Sequence, residues 1–244
     1  DRDNTSILAE AGSNLVLFDC GGNPAGKILQ LGYDPLDLDA IFLTHLHIDH
    51  CYGLPTLLFH MFLAKRSRPL KLFCPEEEFD IMNQQLLSHG IENDVRTYSI
   101  EKVAVPADPT RLLWETDHAA VCAGESEHSR ACRAYRLQEI RTGRKIVLTG
   151  DTTPLDDMVT LTENVDLLIH ESTYLDSHEK LASDYGHSTA RQAGMIAARS
   201  KAKALALVHF EIPPGCTVNN YRSEAADVYK GTIYTPDDMT SLTI

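Results

Sequence analysis

The sequence predicts an α/β fold, and two observations support this prediction. Segments with strand-like and helix-like patterns alternate along all 244 residues, as in folds that pack helices against a largely parallel sheet. Four apolar runs of strand length also lead directly into residues that bind metals or transfer protons, namely His45, Asp151, His170 and His209. Because α/β sheets gather functional side chains at strand ends, we expect a shared site there. No repeat or obvious linker divides the chain, so one domain over residues 1–244 is predicted.

Each element follows from its local pattern. The tripeptide Ala11-Gly12-Ser13 separates two apolar runs and predicts a β-hairpin. Short apolar runs predict buried strands, and apolar residues spaced three and four apart predict helices. The predicted strands are residues 6–10, 14–19, 40–44, 71–74, 121–127, 131–137, 145–148, 165–169 and 204–208. The predicted helices are residues 24–31, 54–65, 77–88 and 189–200. The polar stretch around His178, with Glu179 and Asp184, has the composition of a mobile segment and could at most belong to a substrate loop.

The composition restricts the choice of partners and compartment. The net charge of −13 disfavours an extended nucleic acid, which usually requires a basic surface, but bound divalent ions would still admit a small anionic substrate. No apolar stretch approaches the ~20 residues of a transmembrane helix, and no signal peptide is visible. The six cysteines form no CxxC pair, which favours buried thiols in the cytoplasm. Zinc binding by Cys51 or Cys132 is the alternative.

The strongest signal for chemistry is the segment Thr44-His45-Leu46-His47-Ile48-Asp49-His50. Imidazole nitrogen and carboxylate oxygen are the ligands that zinc and related ions prefer. From this segment alone, His45 and His47 can bind one ion, and Asp49 and His50 can bind a second ion beside it. An exposed histidine-rich loop without metal is the alternative. The donor set favours two Zn²⁺ ions and leaves Mn²⁺ and Fe²⁺ open.

This segment, with Asp19-Cys20-Gly21 before it and Gly150-Asp151-Thr152 after it, resembles the metallo-β-lactamase superfamily. Further motifs occur in the order of its ribonuclease Z branch, and together they cover nearly the whole chain: Asn4-Thr5-Ser6, His128-Ser129, Ala134-Tyr135-Arg136, His170-Glu171-Ser172-Thr173, Gly186-His187-Ser188-Thr189-Ala190 and Val208-His209-Phe210. The resemblance implies a four-layer αβ/βα sandwich with a dinuclear metal site at one edge. It also implies a homodimer as an expectation.

The resemblance assigns seven metal ligands to this chain. One metal would be bound by His45, His47 and His128, and the other by Asp49, His50 and His209, with Asp151 bridging both. The third histidine of the first metal is the one ambiguous assignment. His128 is chosen because it stands seven residues before Tyr135, as in the family's pattern, and His118 is the alternative.

The resemblance also implies an acid–base pair. Two neighbouring metals can share a water and produce hydroxide at pH 7, which would attack a phosphorus, sulfur or carbonyl centre. In the ribonuclease Z branch a glutamate–histidine pair supports phosphodiester hydrolysis. Here the pair would be Glu171 and His187, with Asp49 and Asp151 as the catalytic carboxylates at the metals. A neighbouring carboxylate fixes a histidine's tautomer and favours its protonated form, which suits a general acid. Alternatively, His187 only flanks the N-terminus of the following helix. His170 is predicted to help orient the metal ligands without binding a metal itself.

Two departures from the family bear on the substrate. Enzymes of this branch that process transfer RNA carry a protruding arm that grips the RNA, and the short segment between His128 and Asp151 has no room for one. The family also begins with a strand before Asn4-Thr5-Ser6, so the N-terminus is expected to be incomplete.

The predicted function is therefore that of a metal-dependent phosphodiesterase acting on a small or cyclic phosphodiester or on an RNA 3′ end. An arylsulfatase, lactonase or β-lactamase-like hydrolase is the alternative, because the same metal ligands serve all of these reactions. A non-catalytic metal-binding module is disfavoured, since all seven ligand positions hold coordinating residues.

Overall fold

The computed structural model describes residues 2–92, 97–107 and 111–244. The chain forms two compact units, Asp1–Pro106 and Ala107–Ile244, and each is built around its own sheet. In the described residues, no helix combines the length and apolar character needed to cross a membrane.

The first unit contains a five-stranded sheet in the order β1-β2-β3-β4-β5. The strands are β1 (Ile7–Ala11), β2 (Asn14–Phe18), β3 (Leu38–Phe42), β4 (Leu70–Pro75) and β5 (Ile100–Val105), and the helices are α1 (Pro24–Gln30), α2 (Ile48–Cys51), α3 (Leu54–Leu63) and α4 (Phe79–Ser88). β1 and β2 form the predicted antiparallel hairpin, and every later pairing is parallel. Parallel strands need connections long enough to return the chain, and the helices occupy these connections.

The core of the first unit lies where its helices meet the sheet. Buried residues of α3, including Leu57, Leu58 and Met61, pack with Ile28 of α1 and with apolar side chains of the strands. A parallel sheet that is covered in this way has nearly continuous apolar strands, which explains why the short apolar runs predicted them well.

The second unit contains a seven-stranded sheet in the order β12-β11-β10-β9-β8-β7-β6. Its strands are β6 (Leu112–Glu115), β7 (Ala119–Ser126), β8 (Cys132–Glu139), β9 (Lys145–Leu148), β10 (Leu167–Glu171), β11 (Ala204–Val208) and β12 (Thr232–Tyr234). Its helices are α5 (Met158–Leu161), α6 (Glu179–Tyr185), α7 (Ala190–Arg199) and α8 (Val218–Val228). β6 to β9 pair antiparallel, and β9 to β12 pair parallel.

Helix α7 carries the strongest local signals of the second unit. Thr189 caps its N-terminus and forms a capping box with Gln192, which satisfies two of the backbone N–H groups that a helix start leaves open. Gly194 permits close packing on α8, because a side chain there would lie 2.9 Å from the carbonyl oxygen of Ala225. The start of α7 therefore fixes the position of the chain directly after His187.

All predicted strands and helices are present, and each begins and ends within two residues of its predicted bounds. One prediction is wrong: the stretch around His178 is not a loop but a 3-10 turn (Asp176–His178) followed by α6. The sequence reasoning assigned no element to β5, α2, α5, α8 or β12, and it gave no separate bounds for β6. The prediction of buried cysteines is confirmed for Cys20, Cys51, Cys74 and Cys132, whereas Cys122 and Cys216 are half-buried. Among the described residues, no cluster of potential metal ligands includes a cysteine.

Candidate metal centre and acid–base pair

His45 and His47 lie in the loop that connects β3 to α2. Nε2 of His45 and Nδ1 of His47 are 3.0 Å apart, and the two rings are nearly perpendicular at 84°. Two zinc–nitrogen bonds of ~2.0–2.1 Å at a tetrahedral angle would place their nitrogens about 3.3 Å apart. The observed separation is close to this value, so the pair fits binding to one shared ion.

Asp19 orients His50 from the end of β2. The His50 ring donates a hydrogen bond from Nδ1 to Oδ2 of Asp19 at 2.7 Å, and both side chains are buried. The backbone N–H of Thr44 donates to Oδ1 of the same carboxylate at 2.7 Å, and its hydroxyl donates to Oδ2 at 2.8 Å. With Nδ1 protonated, the neutral His50 ring presents Nε2 as a potential ligand atom, 3.6 Å from Oδ2 of Asp49. Asp19 adopts a φ of 59°, a left-handed conformation that aspartate tolerates better than most residues.

In the second unit, Asp151 stands at the centre of a histidine cluster. It follows β9 through Gly150, which has a φ of 63°, and it is 2% exposed. Its Oδ2 lies 3.5 Å from Nε2 of His209, 3.9 Å from Nε2 of His128 and 4.0 Å from Nδ1 of His187. Potential ligand atoms of Asp151, His187 and His209 all lie within 4.8 Å of one another. Such convergence of one buried carboxylate and several imidazoles fits a divalent cation.

Of the two candidate third histidines, the structure brings His128 to this cluster. The His128 side chain is buried, and its Nδ1 donates to the carbonyl oxygen of Gly186 at 2.7 Å, which leaves Nε2 facing Asp151. Burial lowers the pKa of His128, although the Gly186 carbonyl and Asp151 act in the opposite direction. His118 lies exposed in the turn between β6 and β7, where its backbone N–H donates to the hydroxyl of Thr116.

Glu171 and His187 form a direct pair. Oε1 of Glu171 is 3.1 Å from Nδ1 of His187, and the carboxylate is 2% exposed. The backbone N–H groups of Ser188 and Thr152 donate to the same oxygen at 2.8 and 3.2 Å. The N–H and the hydroxyl of Thr173 both donate to Oε2 at 2.9 Å. Four hydrogen-bond donors therefore converge on the Glu171 carboxylate and hold it in place beside His187.

His209 and His170 are held in different ways. His209 follows β11 with a φ of 59°, and its Nδ1 lies 2.9 Å from the hydroxyl oxygen of Thr173. His170 lies within β10 and is fully buried, and its Nδ1 donates to the backbone carbonyl of Glu171 at 2.6 Å. Because successive strand residues point to opposite faces, His170 and Glu171 project away from each other. Burial lowers the pKa of His170.

Sequence reasoning assigned no role to Asp19, Thr173 or Gly186, each of which holds the Nδ1 side of a histidine. Asp19 and Thr173 stand in motifs that carried the resemblance, so proximity to a motif was the one available signal. Gly186 acts through its carbonyl, which no sequence pattern reveals.

A protein-family model described as a beta-lactamase superfamily domain matches residues 14–210. The chain is also 30% identical to the ribonuclease Z of Natronomonas pharaonis, over all of this chain and 92% of that protein. The chain belongs to the ribonuclease Z family. The alignment runs over 286 positions while this chain has 244 residues, so the Natronomonas relative contains internal residues that have no counterpart here. The ribonuclease Z of Halorubrum lacusprofundi is 28% identical over 98% of this chain and 90% of its own length.

Solved structures share the fold of this chain. The short form of human tRNase Z superposes with a TM-score of 0.80 at 25% identity, covering 99% of this chain and 92% of that protein. The metallo-β-lactamase fold protein YhfI from Bacillus subtilis gives a TM-score of 0.79 at 24% identity, covering 96% and 89% of the two chains. The predicted metallo-β-lactamase fold and the prediction of a metal-dependent hydrolase are thereby confirmed.

Proposed function

We propose that this ribonuclease Z family member is a dinuclear phosphodiesterase in which His187 is the general acid. The observation that carries the proposal is the pairing of His187 with the buried Glu171 at 3.1 Å, next to Asp151. An acid is needed where a poor leaving group, such as a sugar alkoxide, departs from phosphorus. This distinguishes phosphodiester hydrolysis from the opening of an activated lactam or lactone.

We further propose that both units belong to one domain, since the family model runs through both of them. The metal ligands would be those that the resemblance assigns: His45, His47 and His128 for one ion, Asp49, His50 and His209 for the other, with Asp151 shared. The donor geometry within each unit supports this set, as does the 3.0 Å separation of the His45 and His47 nitrogens. Nitrogen and carboxylate donors favour Zn²⁺, with Mn²⁺ and Fe²⁺ as alternatives.

Two bound divalent ions would supply activation of water and polarisation of the phosphoryl oxygen. The chain's own residues would perform the proton transfer. Because Nδ1 of His187 faces Glu171, its Nε2 is the atom that would give a proton to the departing oxygen. Glu171 would stabilise the protonated ring and hold its orientation, while the N–H groups of Ser188, Thr152 and Thr173 keep the carboxylate in place.

The proposed substrate is a small or cyclic phosphodiester or an RNA 3′ end. Two observations support a small substrate: the net charge of −13, and the internal residues of the Natronomonas relative that this chain lacks. An acidic surface opposes the approach of a long polyanion, and fewer protein contacts reduce the grip on it. The homodimer and the cytoplasmic location stay predictions.

The test compares leaving groups. Zinc- or manganese-loaded protein is assayed on a p-nitrophenyl phosphodiester, whose phenolate leaves without a proton, and on a dinucleotide or cyclic nucleotide, whose alkoxide needs one. For His187→Ala we expect roughly a 10²–10⁴-fold loss of kcat on the alkoxide substrates and a much smaller loss on the p-nitrophenyl ester. His178→Ala is the matched control, since this histidine is exposed and bonds only locally to Ser177.

Two results would contradict the proposal. Equal losses on both substrate types would remove His187 from the acid role and leave it a structural residue. Metal-loaded protein that hydrolyses no phosphodiester, while it does hydrolyse sulfate esters, lactones or lactams, would replace the proposed reaction altogether.

A further inference from the structure

The hydroxyl of Thr173 occupies a junction between the acid–base pair and a proposed metal ligand. Its Oγ1 lies 2.9 Å from Oε2 of Glu171, 2.9 Å from Nδ1 of His209 and 3.2 Å from Nδ1 of His187. Thr173 is 4% exposed, so bulk water does not compete for these contacts. All four residues belong to the second unit.

The proton count at this junction follows from an ionised Glu171 carboxylate. A hydroxyl has one proton and two lone pairs, and an ionised carboxylate can only accept. The Thr173 proton therefore goes to Oε2 of Glu171, and the oxygen becomes an acceptor for a ring N–H. Nδ1 of His187 already faces the other oxygen of Glu171 at 3.1 Å, so the ring that depends on Thr173 is that of His209.

We propose that Thr173 is a positioning residue that sets the tautomer of His209. With its proton on Nδ1, the neutral His209 ring keeps Nε2 unprotonated, and this nitrogen faces Oδ2 of Asp151 at 3.5 Å. The Glu171 carboxylate thereby orients two histidines with different tasks. Oε1 holds His187 directly, and Oε2 holds His209 through the Thr173 hydroxyl.

The part of this inference that concerns metal binding rests on the proposed function, in which Nε2 of His209 binds a metal. The assignment of the His209 tautomer does not rest on it, because it concerns the metal-free ring. Metal binding and the tautomer can therefore be measured separately.

The structure offers a conservative way to remove the hydroxyl. Thr173→Val keeps the β-branched shape, and the backbone N–H of residue 173 can still donate to Oε2 of Glu171, as it does at 2.9 Å. Thr173→Ser keeps the hydroxyl and loses only the methyl group. Thr162→Val is the matched control, since Thr162 is a fully buried threonine of the same unit whose hydroxyl donates to the carbonyl of Met158 at 2.7 Å.

The first measurement is the histidine tautomer in metal-free, ¹⁵N-histidine-labelled full-length protein, by long-range ¹H–¹⁵N correlation. We expect His209 to be the Nδ1–H tautomer in the unsubstituted protein, in Thr173→Ser and in Thr162→Val. In Thr173→Val we expect the Nε2–H tautomer to become substantially populated. An unchanged Nδ1–H tautomer in Thr173→Val would overturn the inference.

The second measurement is zinc affinity by competition with a chromophoric chelator. Loss of a group that orients a metal-bound histidine typically weakens binding by about 10–100-fold, and we expect this for Thr173→Val, with Thr173→Ser and Thr162→Val close to the unsubstituted protein. A tautomer change without loss of zinc affinity would refute the ligand role of Nε2 and leave the tautomer assignment standing. Failure of the unsubstituted protein to bind zinc would instead refute the proposed dinuclear site.

Discussion

Replacing Asp19 by asparagine tests whether ligand orientation in the first unit depends on a buried charge. The Asp19 carboxylate receives the His50 ring proton at 2.7 Å and the Thr44 N–H at 2.7 Å. An asparagine oxygen can accept only on one side, so one of these two donors loses its acceptor. Hydrogen bonds to charged groups contribute about 1.5–3 kcal/mol, roughly twice the neutral value.

Two effects of different size follow. If the asparagine oxygen stays on His50, the ring loses only the charge-assisted part of its bond, about 0.8–1.5 kcal/mol. This corresponds to roughly 4- to 12-fold in zinc affinity at 1.4 kcal/mol per tenfold change. The Thr44 N–H is then buried without its acceptor, which lowers the free energy of unfolding of the metal-free protein by about 1–3 kcal/mol. Asp19→Ala removes both bonds, so its zinc affinity should fall further, by about 10–100-fold.

Chelator competition measures the zinc affinity, and urea unfolding of the metal-free protein measures stability. Asp39→Asn is the control, because the Asp39 carboxylate is also partly buried in the first unit, accepts from Leu15 and Asn14, and pairs with Arg68. It should lose stability without losing zinc affinity. Zinc affinity in folded Asp19→Ala within twofold of the unsubstituted protein would refute the assignment of His50 as an oriented ligand.

Two further predictions concern His128 and its surroundings. Gly186 has a φ of 74°, and a Cβ there would lie 3.0 Å from Nδ1 of His128, whereas Gly143 has a φ of 72° and open space around it. Both alanine variants should lose about 1 kcal/mol of stability, because alanine is strained in the left-handed conformation. Only Gly186→Ala should also weaken zinc binding. Equal zinc affinities of the two variants would contradict the idea that the segment at Gly186 positions His128. Burial lowers the pKa of His128 and His170, so below pH ~6.5 the unfolded metal-free chain binds protons that the folded chain does not, and the free energy of unfolding must fall with falling pH. Urea unfolding between pH ~7.5 and ~5.5 measures this dependence. The free energy of unfolding of His170→Gln should change less steeply with pH than that of the unsubstituted protein, by at most ~1.4 kcal/mol per pH unit. Equal slopes in the two proteins would show that burial of His170 does not control its protonation.

The strands were predictable where burial alone decides the pattern of apolar residues in the sequence. β3, β9 and β11 are short apolar runs in parallel sheets, and the polar residues that follow them stand at strand ends as expected. The bounds of β9 and β11 match the predicted ones, and β3 begins and ends two residues earlier than predicted. β10 is shifted by two residues in the other direction, and this shift matters. Because β10 extends to Glu171, His170 becomes a strand residue that points away from the acid–base pair.

The errors have physical causes. The segment of α6 (Glu179–Tyr185) is short and polar, with Ala182 as its one buried residue, so it has no apolar stripe for periodicity to detect. Its C-terminus is instead defined by Gly186, whose left-handed conformation ends the helix. β5 (Ile100–Val105) carries Glu101 and Lys102 at the edge of its sheet, where charged side chains are common and hide the strand pattern.

The orientation of the proposed ligands could not be predicted, because three histidine rings are oriented by three different types of hydrogen-bond acceptor. Nδ1 of His50 is held by a carboxylate, that of His128 by a backbone carbonyl and that of His209 by a hydroxyl. Each arrangement directs Nε2 toward a carboxylate, Asp49 for the first ring and Asp151 for the other two. A sequence motif specifies residue types at a spacing, whereas these partners are separated in the chain by 31, 58 and 36 positions. The residue types of the proposed ligands are therefore readable from the sequence, whereas the contacts that orient their rings are a property of the fold.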